Sequence, residues 1–269
     1  MRRCSEIVEI LEGLAPRDYA CEWDNPGLLV GRGTIEVGKI LVALDVTDEV
    51  IDMAVDRGAD MIVSHHPLIF RGIKSVNDGD FIGRRILRLI QHDISCFAMH
   101  TNFDIAPGGM ADLAAEYLGL SDGKPLEVTG VDLRNGTESV GIGKTGYLKK
   151  SVTVEQAARL VKEKFNLPYV VVYGADQKEI NTDFIAVSPG SGSSMISHGL
   201  KAGAQILVTG DIGHHEGIDA AANGMAVIDA GHYGLEHIFI PFVTGYLREH
   251  LGQEAKIWEM PPAFPASVL

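Results

Sequence analysis

Two adjacent histidines, His65 and His66, follow the apolar run Met61-Ile62-Val63 and precede Pro67. Paired imidazoles at the end of a buried strand offer metal ligands or proton carriers. Two other stretches end in the same way. The apolar run 94–99 leads into His100-Thr101-Asn102-Phe103-Asp104, and the run 226–229 leads into Gly231-His232-Tyr233-Gly234-Leu235-Glu236. His232 and Glu236 are four residues apart, so a helix presents both on one face. In a regular strand His65 and His66 would point to opposite faces. Pro67 keeps His66 extended, and a bend at the strand end would bring both rings to one cluster, one for each of two ions.

These three imidazoles and two carboxylates, with no thiolate, form a mixed nitrogen and oxygen set. Such a set suits Zn, Mn, Fe, Co or Ni better than Ca or Mg. It holds more donors than a single open catalytic zinc uses. A carboxylate can bridge two cations, which makes Asp104 the natural bridge. The expectation is therefore two divalent metal ions per subunit, held by His65, His66, Asp104, His232 and Glu236. Paired ions bring the pKa of a shared water to about 7. Taken singly, each piece has an ordinary reading: a structural histidine, a surface i,i+4 pair, a helix-capping aspartate. The metal reading comes from the joint pattern, because every piece stands just after a buried strand.

A second histidine pair, His214 and His215, follows Thr209-Gly210-Asp211. The expectation is that the pair lines the pocket and that one of them acts as acid or base. Asp211 is expected to orient one of these two rings. The run Gly190-Ser191-Gly192-Ser193-Ser194 precedes a helix, so the amides of Ser191, Gly192 and Ser193 could hold an anion. A tight turn capped by serine fits the same residues. The run lacks the lysine of a P-loop, and neither Ser64 nor Ser191 has a base arranged beside it, so serine hydrolysis is set aside.

The elements that must position these residues alternate. Residues 5–13 have helical spacing, with Ser5 as N-cap. The D-N-P-G turn (24–27) opens a strand, with Trp23 read as a core aromatic. Strand 39–45, helix 46–57 capped by Thr47 or Asp48, and the strand from Asp60 form a parallel βαβ unit. Helix 81–91 carries Arg84, Arg85 and Arg88, read as a solvated or subunit-facing surface. A strand at 94–99 and a helix at 110–118 follow, then a break over 120–125. Further along, a strand and turn near 140–148, helix 153–165, strands 170–173, 184–187, 205–208 and 226–229, and helices after 195, 216 and 231 complete the pattern. This predicts an α/β protein. In open α/β sheets, ligands bind beyond the carboxyl ends of the strands.

The chain has 269 residues, 46% hydrophobic and 22% charged, enough for one large or two modest domains with a sizeable core. A net charge of −13 excludes a non-specific nucleic-acid binder, which needs a basic surface. It leaves anionic substrates open, since a bound metal inverts the local charge. Three cysteines without C-x-x-C spacing fit a reducing compartment. No apolar run approaches about 18 residues, and the N-terminus lacks a signal-peptide core. The expectation is a cytoplasmic protein with no membrane partner.

With those residues in view, the chain resembles the dinuclear-metal-centre hexameric proteins often called GTP cyclohydrolase 1 type 2 homologues. The matching stretches are 23–31 (W-D-N-P-G-L-L-V-G), 43–47 (A-L-D-V-T), 58–70 (G-A-D-M-I-V-S-H-H-P-L-I-F), 100–104 (H-T-N-F-D), 190–194 (G-S-G-S-S), 209–215 (T-G-D-I-G-H-H) and 231–236 (G-H-Y-G-L-E). The resemblance implies two α/β domains with a dinuclear metal site in the cleft between them, and a toroidal homohexamer. It implies a first domain of residues 1–125 plus 225–269, completed by the last strand and helix, around an inserted domain of 126–224. Longer members carry a further domain that this chain has no room for. The functional expectation is a metal-dependent hydrolase, cyclohydrolase-like, acting on a small and possibly nucleotide substrate. The competing readings are a phosphoesterase and a non-catalytic metal-binding or assembly protein.

Overall fold

The computed structural model describes residues 1–266. In chain order the elements are β1 (Arg2–Arg3), α1 (Cys4–Leu14), β2 (Gly27–Val30), β3 (Glu36–Val37), β4 (Lys39–Ala43), α2 (Asp48–Arg57), β5 (Met61–Ser64), α3 (Phe81–Gln91), β6 (Ser95–Ala98), α4 (Thr101–Ile105) and α5 (Met110–Leu118). Then come β7 (Ser121–Val131), β8 (Ser139–Thr153), α6 (Val154–Lys164), β9 (Val171–Tyr173), β10 (Asn181–Ser191), α7 (Met195–Ala202) and β11 (Ile206–Gly210). The chain continues through α8 (His214–Ala222), β12 (Ala226–Asp229), α9 (His232–Glu236), α10 (Phe239–Leu251) and β13 (Lys256–Glu259). It is a mixed α/β protein.

The chain divides into two compact units. One comprises Met1–Phe103 with Phe239–Ala263, and the other Asp104–Ile238 with residues 264–266. The first unit holds a five-stranded sheet in the order β13-β4-β5-β6-β2. Strands β4, β5 and β6 run parallel with in-register pairs such as Leu41, Ile62 and Cys96. Every residue of β5 and β6 is buried, as befits central parallel strands covered on both faces. Around them Val50, Ile51, Ala54, Ile86 and Leu89 from α2 and α3 join Leu41, Ile62 and Cys96 in one core. The expected βαβ unit is present. Thr47 accepts the Val50 N–H as N-cap, and Gly58 ends α2 at φ 61°, a backbone conformation glycine adopts without penalty.

The second unit holds a six-stranded sheet, β7-β8-β10-β11-β12-β9, in which β10, β11 and β12 are parallel and the outer pairings antiparallel. Its core includes Ala186, Leu207, Met225 and Val227. Helix α6 opens with a capping box between Thr153 and Gln156, which ties down two of its unpaired N–H groups.

Several elements differ from the sequence expectation, each for a local reason. The expected break at 120–125 belongs to β7, which buries only Leu126 along its length and so lacks an alternating apolar signal. The N-cap of α1 is Arg3, because Glu6 reaches back to its amide. The chain passes from one compact unit to the other at Phe103/Asp104 and Ile238/Phe239. Strand β12 pairs with β11 and β9 in the six-stranded sheet. The elements that return to the first unit are α10 and β13, and β13 lies parallel to β4. The arginines of α3 are not simply solvated, since Arg85 forms an ion pair with Asp48 at 3.1 Å and Arg88 pairs with Asp52, both acids on α2.

Candidate metal centre

In the first unit the chain leaves β5 through a local bend. The His65 and His66 amides both donate to the Leu44 carbonyl, at 3.2 and 2.9 Å. The Ser64 hydroxyl donates to the His66 carbonyl at 2.9 Å. Consecutive residues thereby leave the strand alternation, and their rings come to lie 4.9 Å apart. His65 is fully buried, its ring packed 5.2 Å from Phe239 and 6.2 Å from Phe103. Its Nδ1 lies 2.7 Å from the Met99 carbonyl. A carbonyl can only accept, so Nδ1 carries a proton and donates. His66 has Nδ1 2.8 Å from Asp45 Oδ1, an orienting carboxylate of the kind that stands behind metal-bound imidazoles.

A third imidazole joins them. The His100 ring lies 5.4 Å from that of His65 and 5.6 Å from that of His66. Its Nδ1 is 2.7 Å from Asp24 Oδ1, a carboxylate whose side chain is wholly buried. Asp24 also accepts from the Thr101 amide at 3.0 Å, the Thr101 hydroxyl at 2.6 Å and the Asn25 amide at 2.8 Å. Burial alone would raise the Asp24 carboxyl. The hydrogen bonds from His100 and Thr101 and the field of His100 outweigh burial and hold it down to about 2. The sequence reading passed over His100 and Asp24. His100 does follow a buried strand, the signal that marked the other candidates, but its partner lies far away in sequence, in the Trp23–Gly27 turn. Trp23 itself, read as a core aromatic, is 61% exposed.

In the second unit the candidates are built on the ends of β10, β11 and β12. His232 opens α9 and Glu236 closes it, with His232 Nε2 3.0 Å from Glu236 Oε2. Glu236 is buried. His232 Nδ1 lies 2.7 Å from Asp211 Oδ2. Asp211 therefore orients His232, not His214 or His215 as the sequence suggested. The backbone makes room for this arrangement with two glycines. A Cβ on Gly190, at φ 79°, would lie 2.7 Å from Glu236 Oε1, and one on Gly210 would lie 2.5 Å from the His232 amide nitrogen. Asp104, on α4, is half-buried.

His214 and His215 are exposed at the start of α8, their rings 5.2 Å apart. The Gly192 amide donates to the Gly210 carbonyl at 2.9 Å, and a Cβ there would meet Thr209 Oγ1 at 1.8 Å. Ser193 Oγ reaches the Asp211 carbonyl at 3.4 Å, and Ser191 ends β10 as an exposed residue. Gly192 thus serves close packing of the run against β11.

The model of one protein family, Duf34/NIF3 (NGG1p interacting factor 3), matches residues 2–262. The chain belongs to the DUF34/NIF3 family. A relative from Clostridium perfringens called "GTP cyclohydrolase 1 type 2 homolog" is 33% identical, covering 94% of each chain. A relative of the same name from Streptomyces coelicolor is 35% identical over 88% of this chain and 82% of its own. Among solved structures, a Bacillus cereus protein related to NIF3 superposes with a TM-score of 0.92 at 26% identity, over 100% of this chain and 99% of that one. Reduced HcgD from Methanocaldococcus jannaschii gives 0.83 at 30% identity, over 97% and 98%. Among the described residues no helix is long and apolar enough to cross a membrane.

Proposed function

We propose that this DUF34/NIF3 chain is a dinuclear metal-dependent hydrolase acting on a small nucleotide-like molecule. The observation that carries the reading is the matched treatment of the candidate donors. Each of His65, His66 and His232 has its Nδ1 held by an oxygen: the Met99 carbonyl, Asp45 and Asp211 respectively. Imidazoles tethered at Nδ1 direct Nε2 outward, as metal-ligating histidines do. The donors fit divalent transition ions by type. In this reading His65, His66, Asp104, His232 and Glu236 would hold the two ions. Bound there, the ions would supply Lewis acidity and a water acidified to about pKa 7.

The chain's own residues then have separable tasks. Asp45 and Asp211 fix the orientation and basicity of His66 and His232. His214 or His215 relays protons, and their exposure leaves both open to solvent exchange. The amides of Ser191–Ser193 would hold an anionic group of the substrate; since Gly192 already donates to Gly210, that task falls to its neighbours. The relatives' label suggests ring opening of a purine by water with release of formate. The same donor set could instead cleave a phosphate ester. A toroidal homohexamer and a cytoplasmic location complete the proposal.

Incubating the metal-loaded protein with GTP tests the reaction: formate supports the cyclohydrolase reading and inorganic phosphate the phosphoesterase reading. Metal-loaded protein that turns over neither GTP nor a broad panel of phosphorylated metabolites would overturn both and leave a metal-binding assembly protein.

A further inference from the structure

Large aromatic residues at a surface call for an explanation when they are held in place. Trp23 is 61% exposed and Phe70 46%. Their rings meet edge to face, with centroids 5.9 Å apart at an interplanar angle of 65°. The pair is fixed from beneath. Asn25 Nδ2 donates to the Ile69 carbonyl at 2.7 Å, which ties the turn that carries Trp23 to the segment that carries Phe70. Asp24, buried between its four hydrogen bonds, anchors the same turn to His100 and Thr101. The segments that carry the two exposed rings are therefore tied to one another, which lowers the ordering cost for any ligand that uses them.

The position of the pair says what it serves. Trp23 lies 6.2 Å and Phe70 6.1 Å from the His100 ring, both edge-on, and His100 adjoins His65 and His66. The aromatic surface is thus continuous with the imidazole cluster. Exposed aromatic rings beside polar groups are the usual platform for planar heteroaromatic rings, which stack on the π-face and turn their polar edge to neighbouring donors.

We propose that Trp23 and Phe70 form the platform that binds the planar ring of the substrate, and that the substrate class is therefore a heteroaromatic base or its nucleotide, not a ring-less phosphate ester. This rests on the hydrolase reading for the role of the neighbouring histidines. Trp23 and Phe70 are positioning residues: they hold the ring while its polar edge faces the imidazoles.

Fluorescence tests binding apart from turnover. The chain has two tryptophans, and Trp258 lies on β13 beside Arg57 and Lys256, so Trp258→Phe leaves Trp23 as the sole reporter. In that background, titration with guanosine and GTP should quench Trp23, while ribose 5-phosphate and inorganic phosphate should not. Trp23→Ala should weaken binding of ring-bearing probes, or raise KM, by about tenfold or more with kcat little changed. Trp23→Phe should restore most of the loss, and Phe70→Ala should reproduce part of it. Both alanine variants remove exposed rings, so circular dichroism should show native folds.

Equal quenching by ribose 5-phosphate and by guanosine, or an unchanged KM in Trp23→Ala, would overturn the platform. So would a change confined to sedimentation, which would make the aromatic pair a contact between copies of the chain. Ring-selective quenching without turnover of any compound would support the platform while sinking the hydrolase reading. Turnover with no aromatic dependence would do the reverse.

Discussion

The two units treat their histidines differently. In the first, His65, His66 and His100 form a tight aromatic cluster. One is held by a main-chain carbonyl and two by carboxylates, and the bend at Leu44 fixes the first pair through backbone bonds. In the second, a single imidazole, His232, lies between two carboxylates, Asp211 on Nδ1 and Glu236 on Nε2. In the first, main chain fixes the backbone of His65 and His66 and holds the His65 ring. The second depends on side chains alone for its ring contacts, and on Gly190, which leaves room for Glu236. A nitrogen lone pair and a carboxylate that face one another attract only through a shared proton or a cation. The His232–Glu236 pair should therefore respond more to metal loading than the His65–His66 pair.

The largest expected effects come from the donors. His66→Ala and Glu236→Ala should each remove bound divalent metal and any hydrolase activity, as read by elemental analysis and turnover on the same preparations. If Glu236→Ala kept full metal while His66→Ala lost it, the second unit would have no part in binding. Next come the orienting carboxylates. Asp45→Asn and Asp211→Asn should lower metal affinity about 10–100-fold, measured by chelator competition. Asp211→Asn should cost more if His232 depends on side chains alone.

Gly190→Ala sharpens the comparison further. It forces a side chain into φ 79° and against Glu236 Oε1, for a loss of about 2 kcal/mol in unfolding free energy together with weakened metal binding. An unchanged affinity would show that Glu236 can shift without consequence.

Asp24→Asn probes the first unit through pH. With its carboxyl held at about 2 in the fold and near 4 when unfolded, Asp24 binds fewer protons in the native state between those values. Its contribution, about 2 kcal/mol, is full above pH 4 and is lost as pH falls through 2. The stability gap between wild type and Asp24→Asn should therefore shrink across that window in denaturant titrations. A gap constant from pH 6 to pH 2 would contradict it. The smallest expected effect on stability is that of His214→Ala. At an exposed position it should alter unfolding by no more than about 0.5 kcal/mol and leave metal content unchanged, while activity falls. Loss of metal would make His214 a ligand.

These contrasts explain what could be read from the chain. Helices such as α3 and α5 carry their apolar period and stop signals locally, and β5 announces itself as an apolar run closed by His65 and His66. The edge strands do not, because β7 lies almost wholly exposed with Leu126 alone buried. The candidate donors stand out in the sequence because each follows a buried strand. Their supports do not, since Asp24 and His100 are 76 positions apart, Asp45 and His66 21 apart, and Asp211 and His232 21 apart. Only the folded sheet brings such pairs together. Trp23 is exposed against expectation because residue type says that a tryptophan packs well but not that its position beside the D-N-P-G turn is covered.

Metal stoichiometry tests the central claim most directly. Protein purified without chelator and reloaded with a divalent transition metal should carry two ions per chain by elemental analysis. Glu236→Ala and His66→Ala, confirmed as folded, should each fall well below that. Full retention of metal by both variants, or no metal on wild-type protein after reloading, would contradict the two-metal account.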